Sequence, residues 1–185
     1  MATLIQTVGP CRLTSRKGTP FQILATSIMS QQISAQAASS IKQRVLELIP
    51  AFTASAILAA EPERLRAAGL SSPKIRYLVQ IARAAEEGKL DFETLGKQAD
   101  EEVIETLIEL PGVGLWTAEM FLIFALKRPD VLSLGDAGLK RAVKRLYGET
   151  MTLAEAGQAW RPYASTASWY LWRSLDAPRS ALTRP

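Results

Sequence analysis

The chain has 185 residues, 48% of them hydrophobic, and a net charge of +4 with one cysteine and no histidine. The single cysteine excludes an internal disulfide and a four-cysteine zinc or iron–sulfur site. The absence of histidine excludes Ser-His and Cys-His nucleophile pairs and the usual zinc and iron ligand sets, so any chemistry depends on carboxylates, hydroxyls, lysines or the backbone.

The composition predicts an all-α protein, because Ala and Leu are abundant and no sustained period-two alternation indicates strands. The length fits one large domain or two small lobes that share a core. The sequence has no run of eighteen apolar residues and no signal pattern in its first dozen residues. With Cys11 as the lone cysteine, these features predict a cytoplasmic protein, and a monomer is the default expectation.

The charge is unevenly distributed along the chain. Residues 1–60 and 127–185 are net basic, whereas residues 61–126 are net acidic. A polyanion would be attracted to the two ends of the chain if these ends meet in space. Charge alone, however, favours an ordinary solvated basic surface.

Apolar spacing and helix start and stop signals predict about nine or ten short helices. In the first half of the chain the predicted helices cover residues 20–29, 35–49, 55–59, 62–67, 73–87 and 91–95. The break at residues 30–34 is polar. Asp100 is the predicted N-cap of the helix that follows.

The second half begins with a sharp turn between two helices, in residues 110–118, which read LPGVGLWTA. Residues 129–134 are predicted to be extended, and Asp136 lies where a new helix, 137–146, begins. Thr152 is the predicted cap of a further helix, Pro162 begins the last one, and the residues from Asp176 onward are a tail. The exposed side of helix 137–146 is basic, with Lys140, Arg141, Lys144 and Arg145.

The turn at residues 110–118 predicts an anion site. Gly112 and Gly114 permit backbone angles that other residues avoid, and they carry no side chain to hold a neighbour away. The helix after the turn therefore begins with amide N–H groups that point outward. If the anion is a DNA phosphate, Asp136 downstream is a candidate for chemistry on DNA.

The turn, followed by Gly135 and Asp136, resembles the helix-hairpin-helix DNA glycosylase superfamily. The chain is most similar to its 3-methyladenine DNA glycosylase II branch, in a compact form without the N-terminal β-lobe of larger relatives, and the similarity runs from about Phe21 to Trp172. The resemblance implies one glycosylase domain of two helical lobes, residues 20–127 and residues 1–19 with 128–185. It places the active site in the cleft between them, reached by a base flipped out of duplex DNA.

The resemblance also implies roles for individual residues. The amides of Gly112, Gly114 and Thr117 would hold a phosphate, and the carbonyls of Ile108, Leu110 and Val113 would bind a monovalent cation, Na+ or K+. Gln32 would be the wedge that fills the gap left by the flipped base, with Ile33 beside it. Trp169 would line the base pocket.

Three departures from the family pattern limit the reaction. Trp116 stands where bifunctional relatives carry a catalytic lysine, so a hydrolase without lyase activity is expected. The cysteines of the iron–sulfur relatives are missing, and no cofactor is expected to be required. The N-terminal β-lobe that supplies part of the pocket wall in larger relatives is also missing, so the pocket shape, and with it the substrate range, stays open. Met120, which stands where some relatives have a pocket tyrosine, adds to that question.

Asp136 is the predicted catalytic residue. Cleavage of the N-glycosidic bond develops positive charge on the sugar and needs a positioned water, and one carboxylate can stabilise the charge and accept the proton. An ordinary N-cap is the alternative, since Asp at a helix start contributes about 1 kcal/mol in that role. The two roles are compatible.

The leaving group favours alkylated purines. A base alkylated at N3 or N7 is already cationic and leaves without an acid, and it stacks well on aromatic rings. Trp169, Tyr170 and Trp116 are candidates for that surface, although tryptophans in a helical protein are more often core residues. Phosphate contacts are predicted for Lys140, for the other basic residues of its helix, and for Lys74 and Arg76. At each of these positions the alternative is an ordinary solvated surface charge.

Two other functions remain open at this point. The same fold could act on deaminated or mismatched bases such as uracil and hypoxanthine. Alternatively, the chain is a non-catalytic DNA-binding module that uses the hairpin alone.

Overall fold

The computed structural model describes residues 1–15 and 17–176, and this part of the chain contains twelve α-helices, one 3-10 helix and no strand. The all-α prediction is confirmed. No helix in the described residues combines the length and the apolar character needed to cross a bilayer. The α-helices are α1 (Ala2–Val8), α2 (Pro20–Ser30), α3 (Ala35–Leu48), α4 (Ala54–Ala59), α5 (Pro62–Ala67), α6 (Ser72–Glu86), α7 (Phe92–Lys97), α8 (Asp100–Ile108), α9 (Leu115–Phe124), α10 (Ala137–Tyr147), α11 (Leu153–Gln158) and α12 (Ala164–Asp176), and the 3-10 helix is Leu13–Ser15.

Local capping interactions explain where several helices begin. At the start of α2, the Thr19 hydroxyl accepts the N–H of Gln22 at 3.2 Å, and the Gln22 side chain accepts the N–H of Thr19 at 3.0 Å. Thr152 and Glu155 form the same reciprocal pair at the start of α11. Both pairs are capping boxes, which satisfy N–H groups that the helix itself leaves unpaired. The starts predicted at Pro20 and after Thr152 are confirmed.

The chain divides into two compact units. The hairpin unit, Gly18–Phe121, is built on α2, whose Leu24, Ala25 and Ile28 have no solvent exposure. This face of α2 packs on α6, and α4 packs on α6 as well. The ring of Phe92 lies between Phe21 and Phe121, at centroid distances of 6.3 and 5.9 Å. The unit therefore has an apolar core built around α2 and α6.

The aspartate unit comprises Met1–Lys17 and Leu122–Pro185, and its core lies between α10, α11 and α12. Gly157 lies against Leu132 there, and a Cβ at this position would overlap Cδ2 of Leu132 unless that side chain shifted. The start of α12 is tied to the preceding loop, because Ser165 accepts the N–H of Val131 and donates to the carbonyl of Arg128. The buried core residues are Leu139, Ala142, Val143, Leu153, Ala156, Trp160, Ala167 and Leu171.

Three local predictions differ from the structure. Ala99, not Asp100, is the N-cap of α8, and the Glu102 carboxylate accepts the Ala99 N–H at 3.0 Å. The last helix begins at Ala164 rather than at Pro162. Residues 129–134 are not a simple extended segment, because turns at 129–130 and 134–135 flank an irregular stretch. Neither α1 nor the 3-10 helix was predicted, and the predicted tail lies almost entirely outside the described residues.

Candidate functional site

Asp136 is fixed at the N-terminus of α10. Its backbone N–H donates to the carbonyl of Ser133 at 3.1 Å, and its Oδ1 accepts the N–H of Leu139 at 2.7 Å. The residue is only 6% exposed. The predicted helix start is therefore confirmed, and the carboxylate lies at the N-terminal, positive end of the helix dipole.

A tryptophan holds the same carboxylate oxygen from another helix. The indole Nε1–H of Trp172 on α12 donates to Oδ1 of Asp136 at 3.1 Å. The Trp172 ring stacks on Phe124, with centroids 5.7 Å apart and an interplanar angle of 28°. Gly138 leaves room for this pair, since a Cβ there would lie 3.0 Å from the same oxygen and 3.3 Å from Trp172 Cδ1. The carboxylate is thus oriented by two N–H donors.

The predicted pocket aromatics on α12 make other contacts. Trp169 is half-buried and meets Tyr170 edge-on at a centroid distance of 5.0 Å, with the Arg173 guanidinium 6.0 Å from its ring centroid. Tyr170 is buried, and its hydroxyl donates to the carbonyl of Gly9 at 2.9 Å. Trp172 is a site residue that the sequence alone does not identify. Its one signal in the sequence is its position three residues after Trp169 on the same helix.

The glycine turn between α8 and α9 has the tight geometry that its sequence predicts. Gly112 has φ +84°, and a Cβ at this position would overlap the ring of Tyr77. The Val113 N–H donates to the carbonyl of Leu110, and the Ala118 N–H donates to the carbonyl of Gly114, each at 3.0 Å. Gly114 lies in open space and outside the left-handed region. The surface at Gly114 is therefore accessible at the start of α9.

The polar break after α2 lies beside this turn. Gln32 has φ +56° and is exposed, and Ile33 is 37% exposed. The side chain of Gln31 reaches the turn, where its Nε2 donates to the Gly112 carbonyl and to the Thr117 hydroxyl, both at 2.9 Å. The hairpin unit thus brings the predicted wedge residues and the predicted phosphate-binding residues together. An open groove of about 530 Å³ is lined by Gln31, Gln32, Ser71, Pro73, Lys74, Tyr77 and residues 112–114.

Residues 25–159 match the family described as HhH-GPD superfamily base excision DNA repair protein. The chain belongs to this superfamily. A crystal structure of a Bacillus halodurans DNA-3-methyladenine glycosidase is 40% identical and superposes with a TM-score of 0.77, covering 97% of this chain and 89% of that one. The structure of the Schizosaccharomyces pombe 3-methyladenine DNA glycosylase in complex with abasic DNA is 30% identical in sequence and superposes with a TM-score of 0.84. The superposition covers 96% of this chain and 92% of the pombe chain.

Other HhH-GPD relatives are longer than this chain. The DNA-3-methyladenine glycosylase of Saccharomyces cerevisiae is 43% identical over 132 residues. These residues make up 66% of this chain and 45% of the yeast protein. The chain spans 41% of a relative from Bacillus subtilis.

The remaining residues that the HhH-GPD resemblance singles out are spread over both units. Trp116 and Met120 lie one turn apart on α9, where Trp116 is 37% exposed and Met120 is buried. Lys140 is exposed on α10, in a depression that Lys144 also lines. Lys144 itself forms an ion pair with Glu149 at 3.0 Å, which reduces its availability to an external anion.

The carbonyls predicted to bind a cation have suitable chemistry. Ile108 ends α8, and the last carbonyls of a helix have no partner within that helix. The carbonyl of Leu110 accepts the Val113 N–H and retains a second lone pair. Rings of backbone carbonyls are the ligands that alkali cations take in proteins. These oxygens and that of Val113 are of the chemical type that Na+ and K+ take as ligands, and cation binding here stays a prediction.

Proposed function

We propose that this chain is a monofunctional DNA glycosylase that excises alkylated purines of the 3-methyladenine and 7-methylguanine type from duplex DNA in base excision repair. The observation that carries the proposal is Asp136, a buried carboxylate fixed by N–H groups from α10 and α12. The relatives from Bacillus halodurans, Schizosaccharomyces pombe and Saccharomyces cerevisiae, each named for 3-methyladenine, support the substrate class.

The chemical step needs only this carboxylate and water. The C1′–N bond of the damaged nucleotide breaks with its electron pair moving to the base, so a cationic alkylated base departs as a neutral molecule. The Asp136 charge stabilises the oxocarbenium character of the sugar. A water oxygen bonds to C1′, and its proton passes to the carboxylate, leaving an abasic site. The two N–H donors on Oδ1 hold the group in place throughout.

The chain lacks the group needed for strand cleavage at the expected position. A lyase forms a Schiff base between a lysine amine and the sugar, whereas Trp116 carries an indole nitrogen that cannot do so. Base release without covalent attachment follows from this substitution.

The hairpin unit supplies the DNA contacts in this proposal. The amides of Gly112, Gly114 and Thr117 bind a phosphate beside the lesion, as helix N-termini do. Gln32 fills the gap in the stack, and Ile33 presses on a neighbouring base. Lys140 of the aspartate unit adds a phosphate contact.

The flipped base is proposed to stack on indole rings. A cationic purine gains up to about 2 kcal/mol from a desolvated aromatic face. Trp169 remains a candidate for this surface, with Tyr170, Trp116 and Met120 as further pocket residues. Trp172 joins this set because it already contacts the catalytic carboxylate.

A monovalent cation at the carbonyls of Ile108, Leu110 and Val113 belongs to the same proposal. Such an ion would add positive charge beside the phosphate that the hairpin holds. No iron–sulfur cluster is required by the proposed reaction.

A lesion panel tests the proposal. Duplexes containing 3-methyladenine, 7-methylguanine, hypoxanthine, uracil or ethenoadenine are incubated with excess protein, and free base and abasic sites are measured. We expect release of the two alkylated purines and no trapped adduct with borohydride. Release of uracil or hypoxanthine alone would reassign the substrate, a trapped adduct would contradict monofunctional hydrolysis, and binding without any release would favour a DNA-binding module.

A further inference from the structure

We propose that Gln31 is a positioning residue that makes phosphate binding by the hairpin and insertion of the Gln32 wedge a single coupled event. This inference rests on the proposed function and adds to it a residue that contacts neither the base nor the sugar. The wedge loop is defined as residues 31–34, between α2 and α3.

The Gln31 side chain bridges two elements that are far apart in sequence. Its amide nitrogen carries two hydrogens, and these reach the Gly112 carbonyl and the Thr117 hydroxyl at 2.9 Å each. Thr117 is 2% exposed, so this contact is protected from competition by water. One side chain of the wedge loop therefore satisfies acceptors on both halves of the hairpin.

The bond to Gly112 orients the proposed phosphate donors. A trans peptide places its C=O and N–H on opposite edges of one plane. In the plane that joins Gly112 and Val113, the carbonyl accepts from Gln31 and the N–H donates to Leu110 at 3.0 Å. Because this plane is held at both edges, the directions of the N–H groups on either side, at Gly112 and Gly114, are restricted.

The wedge loop is also held by its backbone. The Lys74 ammonium donates to the carbonyls of Met29 and Gln31, at 2.8 and 2.7 Å. A cation at these carbonyls is favourable because they lie at the C-terminal, negative end of α2. Burial lowers the pKa of Lys74. On the other side of the loop, the Ser34 hydroxyl accepts the Ala37 N–H at the start of α3.

Between these anchors, the two predicted wedge residues, Gln32 and Ile33, are exposed. Gln32 keeps a left-handed backbone angle, φ +56°, directly after the anchored Gln31. Non-glycine residues adopt that conformation at a cost of about 1–3 kcal/mol, which the surrounding structure must offset. Loss of the Gln31 bridge would remove one anchor of the wedge loop and one bond that holds the Gly112–Val113 peptide, so one substitution should weaken two DNA contacts.

The chemistry at this position is specific to an amide. Gln31→Glu keeps the length but replaces the donor with an acceptor, which faces the Gly112 carbonyl. Gln31→Ala removes both bonds. Thr117→Val removes the bond from Gln31 to Thr117 and leaves the bond to Gly112, because valine has nearly the same shape as threonine but lacks the hydroxyl acceptor. Gln43→Ala is the matched control, since Gln43 is exposed on α3 and its side chain donates to Glu47 within the same helix.

The test uses duplex DNA with 2-aminopurine opposite an abasic site, so that its fluorescence reports occupation of the gap by the wedge. At saturating protein, we expect the fluorescence change to fall about fivefold or more in Gln31→Ala and Gln31→Glu and about twofold in Thr117→Val. Gln43→Ala should match the parent. Melting temperatures identify any variant that fails to fold, and Thr117→Val then carries the test alone.

A double-mutant cycle separates coupling from simple addition. If Gln31 positions Gln32, then Gln32→Ala should weaken abasic-duplex binding about tenfold in the parent but only about twofold in the Gln31→Ala background. Equal fold losses in both backgrounds, or a full fluorescence change in Gln31→Ala, would overturn the inference. These readouts need no base release, so failure of the proposed reaction on every lesion would be seen separately.

Discussion

The indole of Trp172 and the carboxylate of Asp136 are joined by a 3.1 Å hydrogen bond from Nε1 to Oδ1. The same oxygen accepts the Leu139 N–H, so one carboxylate atom is held by a side chain of α12 and by the backbone of α10. Hydrogen bonds to an ionised acceptor are about twice as strong as neutral ones. The pair therefore fixes the direction of the group that the proposed reaction requires.

Asp136 combines two roles that different substitutions can separate. Asparagine is as good an N-cap as aspartate, whereas alanine loses the cap at a cost of about 1 kcal/mol. We expect Asp136→Asn to retain stability and duplex binding but lose base release by at least a hundredfold. Asp136→Ala should lose both release and stability. Single-turnover release and urea unfolding measure these effects, and normal release by Asp136→Asn would remove the catalytic assignment.

Trp172→Phe tests the orienting bond. Phenylalanine keeps a ring to stack on Phe124 but cannot donate to Asp136. A hydrogen bond to a charged group contributes about 1.5–3 kcal/mol, so we expect base release to slow about tenfold or more. Trp160→Phe is the matched control, because Trp160 is a buried tryptophan of the same unit that packs in its core. If both variants release base at the same rate, the bond has no role in the reaction.

Local signals explain what the sequence could predict. Thr19 and Thr152 begin helices through contacts within four residues, and Asp136 caps α10 in the same way. Such signals are readable because the partners are neighbours in the chain. The glycine turn is equally local, since Gly112 requires a positive φ.

Long-range contacts explain what the sequence could not predict. The choice of Trp172 over Trp169 as the Asp136 partner depends on the rotation of α12 against α10, which periodicity does not fix. Gln31 bonds to residues more than eighty positions away. The start of α12 at Ala164 depends on Asp130, whose carboxylate accepts the Ala164 N–H at 3.1 Å.

The two hairpin glycines should respond differently to alanine. Gly112→Ala puts a side chain at φ +84° and against the Tyr77 ring, so we expect a loss of about 1–3 kcal/mol in unfolding free energy. Gly114→Ala meets open space and should be neutral or stabilising by about 0.4–1 kcal/mol.

Duplex binding completes this comparison. If a phosphate approaches the backbone at Gly114, Gly114→Ala should weaken binding to an abasic duplex several-fold without loss of stability. The dependence of binding on salt should remain steep in the parent, as phosphate contacts demand. Full affinity in a stable Gly114→Ala protein would place the phosphate elsewhere.

The ion pair between Asp130 and Arg161 predicts a pH dependence of stability. Burial alone would raise the pKa of Asp130, but the hydrogen bond and charge of Arg161, 2.7 Å away, and the Ala164 N–H together lower it. Because the pKa is lower in the folded state, the stabilisation is complete above the ordinary aspartate pKa, about 3.9, and is lost as the pH falls through the folded value.

Asp130→Asn should therefore be less stable than the parent at neutral pH, and the difference should shrink in acid. Urea unfolding from pH 7 toward strongly acidic pH measures it, with Glu149→Gln as the control for an exposed pair. A difference that stays constant over this range would show that the charge of Asp130 does not contribute.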